Sequence, residues 1–183
     1  YGRTTSKSYG NTVAARYYYN NSNLLSRLQD TYGQDTRFTY DLRGRLQSKW
    51  NALFSKALTY DILDRITNVK YNVRGTAVDC STAYGDDSRI TSFGATGYVS
   101  ESLSYDTLGR RTSKLIYGDD GIDFDYVSYS YLPGANGSTT TLVESLSNIA
   151  QTRYYSYDAN GNITGIYTDS AKTQGTTYQY DAL

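Results

Sequence analysis

An all-β fold of consecutive hairpins is predicted by three features of this 183-residue chain: its composition, a two-residue alternation of large side chains, and a motif that keeps returning. Tyr contributes 22 residues while Pro occurs once and Met never, and Ser and Thr are frequent. Such a chain suits a half-buried pleated surface. The motif is Tyr-Asp-x-x-Gly-Arg, anchored at Tyr19, Tyr40, Tyr60, Tyr84, Tyr105, Tyr131, Tyr157 and Tyr180, with 20 to 26 residues between successive anchors. Fixed motifs at slightly elastic spacing are the mark of hairpins joined by loops of unequal length, and no helical period fits them.

Taken in chain order, each unit is a variant of the same strand, turn and strand. The opening "YGRTTSKSY" matches the second half of a unit, as "LGRRTSKLIY" does at 108–117. The first anchor has Tyr17 two residues before it and Asn20 in place of Asp. The second unit is complete, with Phe38, Tyr40, Asp41, Gly44 and Arg45. The third, with Leu58, Tyr60, Asp61 and Arg65, has Asp64 where Gly stood, and the fourth has Thr82, Tyr84, Gly85, Ser88 and Arg89. The fifth returns to the full pattern in Leu103, Tyr105, Asp106, Gly109 and Arg110. The sixth departs from it at Leu132, after Tyr129 and Tyr131, and leads into "YLPGANG"; the seventh has Tyr155, Tyr157, Asp158, Gly161 and Asn162. "YQYDAL", with Tyr178, Tyr180 and Asp181, ends where Gly and Arg would follow. Alternation places the large residue two before each anchor on the anchor's own face of the strand. Residues 138–152, "STTTLVESLSNIAQT", also have helical spacing at Leu142, Val143, Leu146, Ile149 and Ala150, with a capping box at Thr141 and Glu144. The repeat context assigns them to strands.

The motif is a turn before it is anything else. Asp opening a type I turn accepts from backbone N–H groups two residues on, and Gly in the fourth place takes the left-handed conformation, giving a turn with a glycine bulge. The anchor Tyr and the Arg five residues later then flank the turn, and the guanidinium is expected over the ring of its own unit.

Charge and composition exclude much else. Eighteen residues of each sign leave no formal net charge, so nucleic acid is not an expected partner, and no apolar run is long enough for insertion into a membrane. The absence of His removes Ser/His/Asp and Cys/His nucleophile systems and His-ligated metals. Cys80 is alone and reads as a small, partly buried residue. Asp86, Asp87, Glu101 and Glu144 show no spacing that pairs two carboxylates for glycoside hydrolysis, and "GATG" at 94–97 lacks the Lys of a phosphate loop. Asp119, Asp120, Asp123 and Asp125 are a candidate Ca²⁺ cluster, but not at the spacing of an EF-hand; a turn at Asp120-Gly121 is the plainer reading. No enzyme activity, cofactor or metal is expected.

"YDLRGRLQSKW", "YDILDRITNVKY", "YDTLGRRTSKLIY" and "YDANGNITGIY" resemble the YD repeats of the RHS family, found in bacterial polymorphic toxins, in the cocoon-forming component of insecticidal toxin complexes and in teneurins. The resemblance covers residues 1–183, most clearly at 36–117 and 153–183. It implies an extended sheet of hairpins that coils into part of a hollow shell around a toxin or effector domain, in a secreted or cell-surface bacterial protein. On this reading the chain is a fragment cut within a repeat at both ends. Its expected partners are the rest of the parent shell and the enclosed toxin domain. Exposed sheet edges are expected to favour self-association. The alternative is an adhesion or carbohydrate-binding module in which exposed Tyr rings stack on glycans.

Overall fold

The computed structural model describes residues 2–118 and 124–181. Sixteen antiparallel strands follow one another in strict chain order as an open sheet. They divide between two compact units, residues 1–83 with 95–97, and residues 84–94 with 98–183. The first unit contains β1 (Ser6–Tyr9), β2 (Thr12–Tyr19), β3 (Leu25–Asp30), β4 (Asp35–Tyr40), β5 (Leu46–Trp50), β6 (Phe54–Tyr60), β7 (Ile66–Val73) and nearly all of β8 (Thr76–Tyr84). The second holds most of β9 (Ile90–Ala95), then β10 (Ser100–Tyr105), β11 (Arg111–Tyr117), β12 (Phe124–Pro133), β13 (Thr139–Ser147), β14 (Thr152–Tyr157), β15 (Ile163–Tyr167) and β16 (Gly175–Thr177). One 3-10 turn, Ala135–Gly137, is the helical element among the described residues.

Every anchor from Tyr19 to Tyr157 closes, or nearly closes, an even-numbered strand, and Tyr180 follows β16. The bulge expected at the turn is present: Thr39 pairs with Ser48 but Tyr40 with Leu46, and the same shift occurs at Tyr19, Tyr60, Tyr105 and Tyr157. The 138–152 segment is extended, as the repeat context required. β13 ends at Ser147, and the Asn148 carboxamide turns the chain by accepting from the N–H groups of Ala150 at 3.0 Å and Gln151 at 2.9 Å. Helical spacing loses there because the long β12–β13 ladder satisfies the backbone and half-buries Leu146 opposite Tyr129.

In the first unit the register places Tyr17, Leu28, Phe38, Leu58, Val69 and Cys80 on one face. Tyr18, Arg27, Arg37, Trp50, Ser55 and Asn72 occupy the other. The second unit repeats this: Leu103, Lys114, Val127 and Tyr129 share a face, while Ser104, Ser113, Ser128, Ser147 and Thr152 form a row of directly opposed small residues on its reverse. A single-layer sheet buries little, and among the described residues only Leu58 and Leu103 are buried apolar side chains. Both occupy the position two before an anchor.

Candidate functional site: a ladder of stitched turns

The recurring residues meet along the side of the sheet where the motif turns lie, and the complete unit at Tyr40 shows how. The Asp41 carboxylate accepts from the N–H of Arg43 at 2.9 Å and of Arg45 at 3.0 Å through one oxygen, and from Arg45 Nε at 2.6 Å through the other. The Gly44 N–H donates to Asp41 O at 3.0 Å, with Gly44 at φ +79°. Asp61 and Asp106 repeat the arrangement with Arg65 and Arg110. Asp158 does the same with the amide of Asn162, and Gly109 and Gly161 hold the left-handed place. Asp64, Ser88 and Asn23 substitute for Gly at φ values from 63° to 66°. Where Asp is replaced, the neighbours adapt. Asn20 accepts from Ser22 and Leu24 with its carboxamide, and at the Tyr84 turn Arg89 forms its ion pair with Asp87 instead.

At Arg45, Arg89 and Arg110 the expected stacking of Arg on its own anchor gives way to another partner. The guanidinium of Arg45 lies 4.4 Å from the ring centroid of Tyr60, that of Arg110 lies 4.5 Å from Tyr131, and that of Arg89 5.8 Å from Tyr105, in each case the anchor of the following unit. The turn Asp is the cause in the complete units. It holds Nε along the turn and so aims the rest of the guanidinium at the next repeat.

The hydroxyls of Tyr40, Tyr60, Tyr105, Tyr131 and Tyr157 reach back in the opposite direction. Tyr40 Oη donates to Leu25 O at 2.9 Å, Tyr60 to Leu46 O at 2.8 Å, Tyr105 to Ile90 O at 2.9 Å, Tyr131 to Arg111 O at 2.7 Å and Tyr157 to Val143 O at 2.8 Å. The acceptor is the residue just after the previous turn, except for Tyr157, whose acceptor Val143 lies within β13 and is paired with the previous anchor, Tyr131. The turns leading to Tyr60, Tyr105 and Tyr131 are therefore stitched twice, by cation on ring and by hydroxyl on carbonyl, and those leading to Tyr40 and Tyr157 by hydroxyl on carbonyl. Between the Tyr40 and Tyr60 turns there are further links, with Arg43 donating to Asp64 at 2.9 Å and to Ile62 O at 3.2 Å, and Arg45 to Asp61 O at 3.2 Å. Sequence reasoning missed the hydroxyl stitch. Its only trace was that the anchor is Tyr and never Phe.

Several candidates read from the sequence take no part. Asp119, Asp120 and Asp123 lie outside the described residues; Asp125 is on β12 opposite Ile116, and no metal-holding cluster occurs among the described residues. Glu101 forms an ion pair with Lys114 at 2.6 Å, and Cys80 is a half-buried free thiol on β8. The anchor rings from Tyr19 to Tyr157 are half-buried, and the hydroxyls of Tyr40, Tyr60, Tyr105, Tyr131 and Tyr157 are engaged within the array.

Partial desolvation raises the Asp41, Asp61 and Asp106 carboxyls, but hydrogen bonds from the Arg partner and two backbone N–H groups outweigh it and hold all three below the usual carboxylate range. Asp158 is lowered as well, first by the Asn162 side chain. A depressed folded-state pKa means that the unfolded chain binds protons more readily. The turns then contribute stability that is present above the unfolded value of about 3.9 and is lost as pH falls through the folded values. The melting temperature is expected to be level from pH 7 to about 5 and to drop steeply below about 4; an acid-insensitive melting curve would contradict this. Replacing Tyr60 by Phe removes one stitch and is expected to cost about 1 kcal/mol in urea unfolding, with faster exchange of the amides around Leu46.

No protein-family model matches the chain, and no curated protein does. Solved structures do. The crystal structure of TcdB2-TccC3 is similar with a TM-score of 0.56 at 19% identity, over 89% of this chain and 10% of that one. TcdB2-TccC3-TEV gives 0.52 at 16% identity, over 92% and 10%, and TcdB2-TccC3-Cdc42 gives 0.51 at 16%, over 89% and 9%. The chain thus spans about a tenth of the length of those it matches. What these neighbours share with it is the fold, an open array of antiparallel hairpins, in agreement with the RHS/YD-repeat resemblance carried by its recurring turns.

Proposed function

We propose that this chain is a length of wall in an encapsulating shell, secreted or displayed by a bacterium, that encloses a toxin or effector domain. One observation carries the reading: the fixed residues of the motif are spent on building a turn, as Asp41 and Gly44 are, or on joining it to its neighbour, as Arg45 and Tyr60 are. A wall needs this and a catalyst does not, so the reading assigns no reaction to these residues. The adhesion alternative relied on anchor rings available to sugars, and those rings are engaged in the stitch. The test is protease protection in the parent protein. The domain downstream of the repeats is expected to resist digestion in the native protein and to become sensitive in a variant with Arg45→Ala and Tyr60→Phe together. Equal sensitivity in both would refute the reading.

A further inference from the structure

A small depression lies on the Trp50 face of the first unit, away from the stitched turns. It has a volume of about 220 Å³ and lies between the β5–β6 and β7–β8 turns. The register explains it: Trp50, Ser55 and Asn72 are directly opposed on three neighbouring strands, so short Ser55 leaves a gap between an indole and a carboxamide. Arg74 lines another side, and none of the lining residues is acidic. Beyond the indole, Arg37 is directly opposite Trp50 on β4.

Arg74 is an unexpected residue there. With Gly75 it forms the two-residue β7–β8 turn, and both have positive φ, 50° and 92°. Asn is the usual first residue of such a turn, because a longer L side chain is strained in the left-handed region. The chain accepts that strain and in return has an arginine lining a depression that Trp50 also lines.

We propose that this depression binds a carboxylate borne on a small apolar body. Trp50 would pack against the apolar part and Arg74 would hold the carboxylate by charge-assisted hydrogen bonds, with the Asn72 amide and Ser55 hydroxyl serving a neighbouring polar group. The size sets the class, since 220 Å³ falls below the roughly 300 Å³ at which sites for drug-sized ligands begin and fits about one amino-acid residue. Two sources offer this chemistry, a free carboxylic acid and the C-terminus of a peptide. The site is independent of the shell reading and stands or falls separately.

Trp50 is the only Trp, so its fluorescence reports directly on the site. The 183-residue chain is titrated with N-acetyl-leucine, with the peptide Ala-Ala-Ala-Leu bearing a free carboxylate, and with the same peptide amidated. The expected result is a saturable change in emission with one or both carboxylates and none with the amide; the carboxylate that binds more tightly identifies the source. Arg74→Asn provides the second arm. It places a better turn residue at the strained position, so the melting temperature should hold or rise while the affinity falls about tenfold. An unchanged emission with both carboxylates, an equal response to the amide, or undiminished binding by Arg74→Asn would each overturn the proposal.

Discussion

Leu58→Ala is expected to destabilise the first unit by about 2–3 kcal/mol, among the largest effects of any single truncation in the chain. Leu58 is 8% exposed in a sheet that has only one layer. Its cover comes from its own face, with Val69 opposite on β7 and Tyr60 two residues along β6. A single-layer sheet can relax around a deleted side chain more readily than a two-layer core, which sets the expected cost at the low end of the range for buried Leu. Leu103→Ala should cost a similar amount in the second unit by a different route. Leu103 is opposite Lys114, whose ammonium is held by Glu101 on the same face at 2.6 Å, so the lysine stem lies across the leucine. Glu101→Ala should therefore recover part of the Leu103 effect on its own, while no such dependence exists at Leu58. Urea unfolding of the three variants checks both statements, and a Leu58→Ala cost below about 1 kcal/mol would mean that the anchor-minus-two row is not the core.

The fold was legible in the sequence because its turn chemistry is local. Asp41 to Arg45 specify their hairpin without help from distant residues, and the same five-residue logic reads correctly at Asp61, Asp106 and Asp158. The departures were legible too, since Asn20 and Asp64 are residues that tolerate the roles they inherit. What lies between repeats was not legible. Whether Arg45 covers Tyr40 or Tyr60 depends on which neighbour its guanidinium reaches once Asp41 has fixed Nε, and two rings of the same kind lie on either side of it in sequence. The hydroxyl stitch was hidden for the same reason: its acceptor is a backbone carbonyl, and any residue at position 25, 46 or 143 would provide one. The depression beside Trp50 was likewise invisible, because it arises from the absence of a side chain at Ser55 and from register across three strands.

A comparison of two glycines tests whether the contacts between turns carry energy. Gly44 and Gly109 hold the same place in their motifs, both at φ +79°, so an added methyl group suffers the same left-handed strain of about 1 kcal/mol at each. Their surroundings differ. A Cβ on Gly44 would find its nearest neighbour, Leu24 Cδ1, at 3.6 Å, an ordinary contact. A Cβ on Gly109 would collide with Arg89 Nη2, because the arginine of the previous turn lies directly on this glycine on its way to the Tyr105 ring. Arg89 is flexible and can leave, but leaving forfeits the ring contact and disturbs its ion pair with Asp87. Gly109→Ala is thus expected to cost about 2–3 kcal/mol and Gly44→Ala about half of that. The gap should close when Arg89→Ala is introduced first, since the displaced group is then already gone. A gap that survives in the Arg89→Ala background would place the cost in the Gly109 backbone alone and would mean that turn-to-turn docking contributes nothing to the stability of the array.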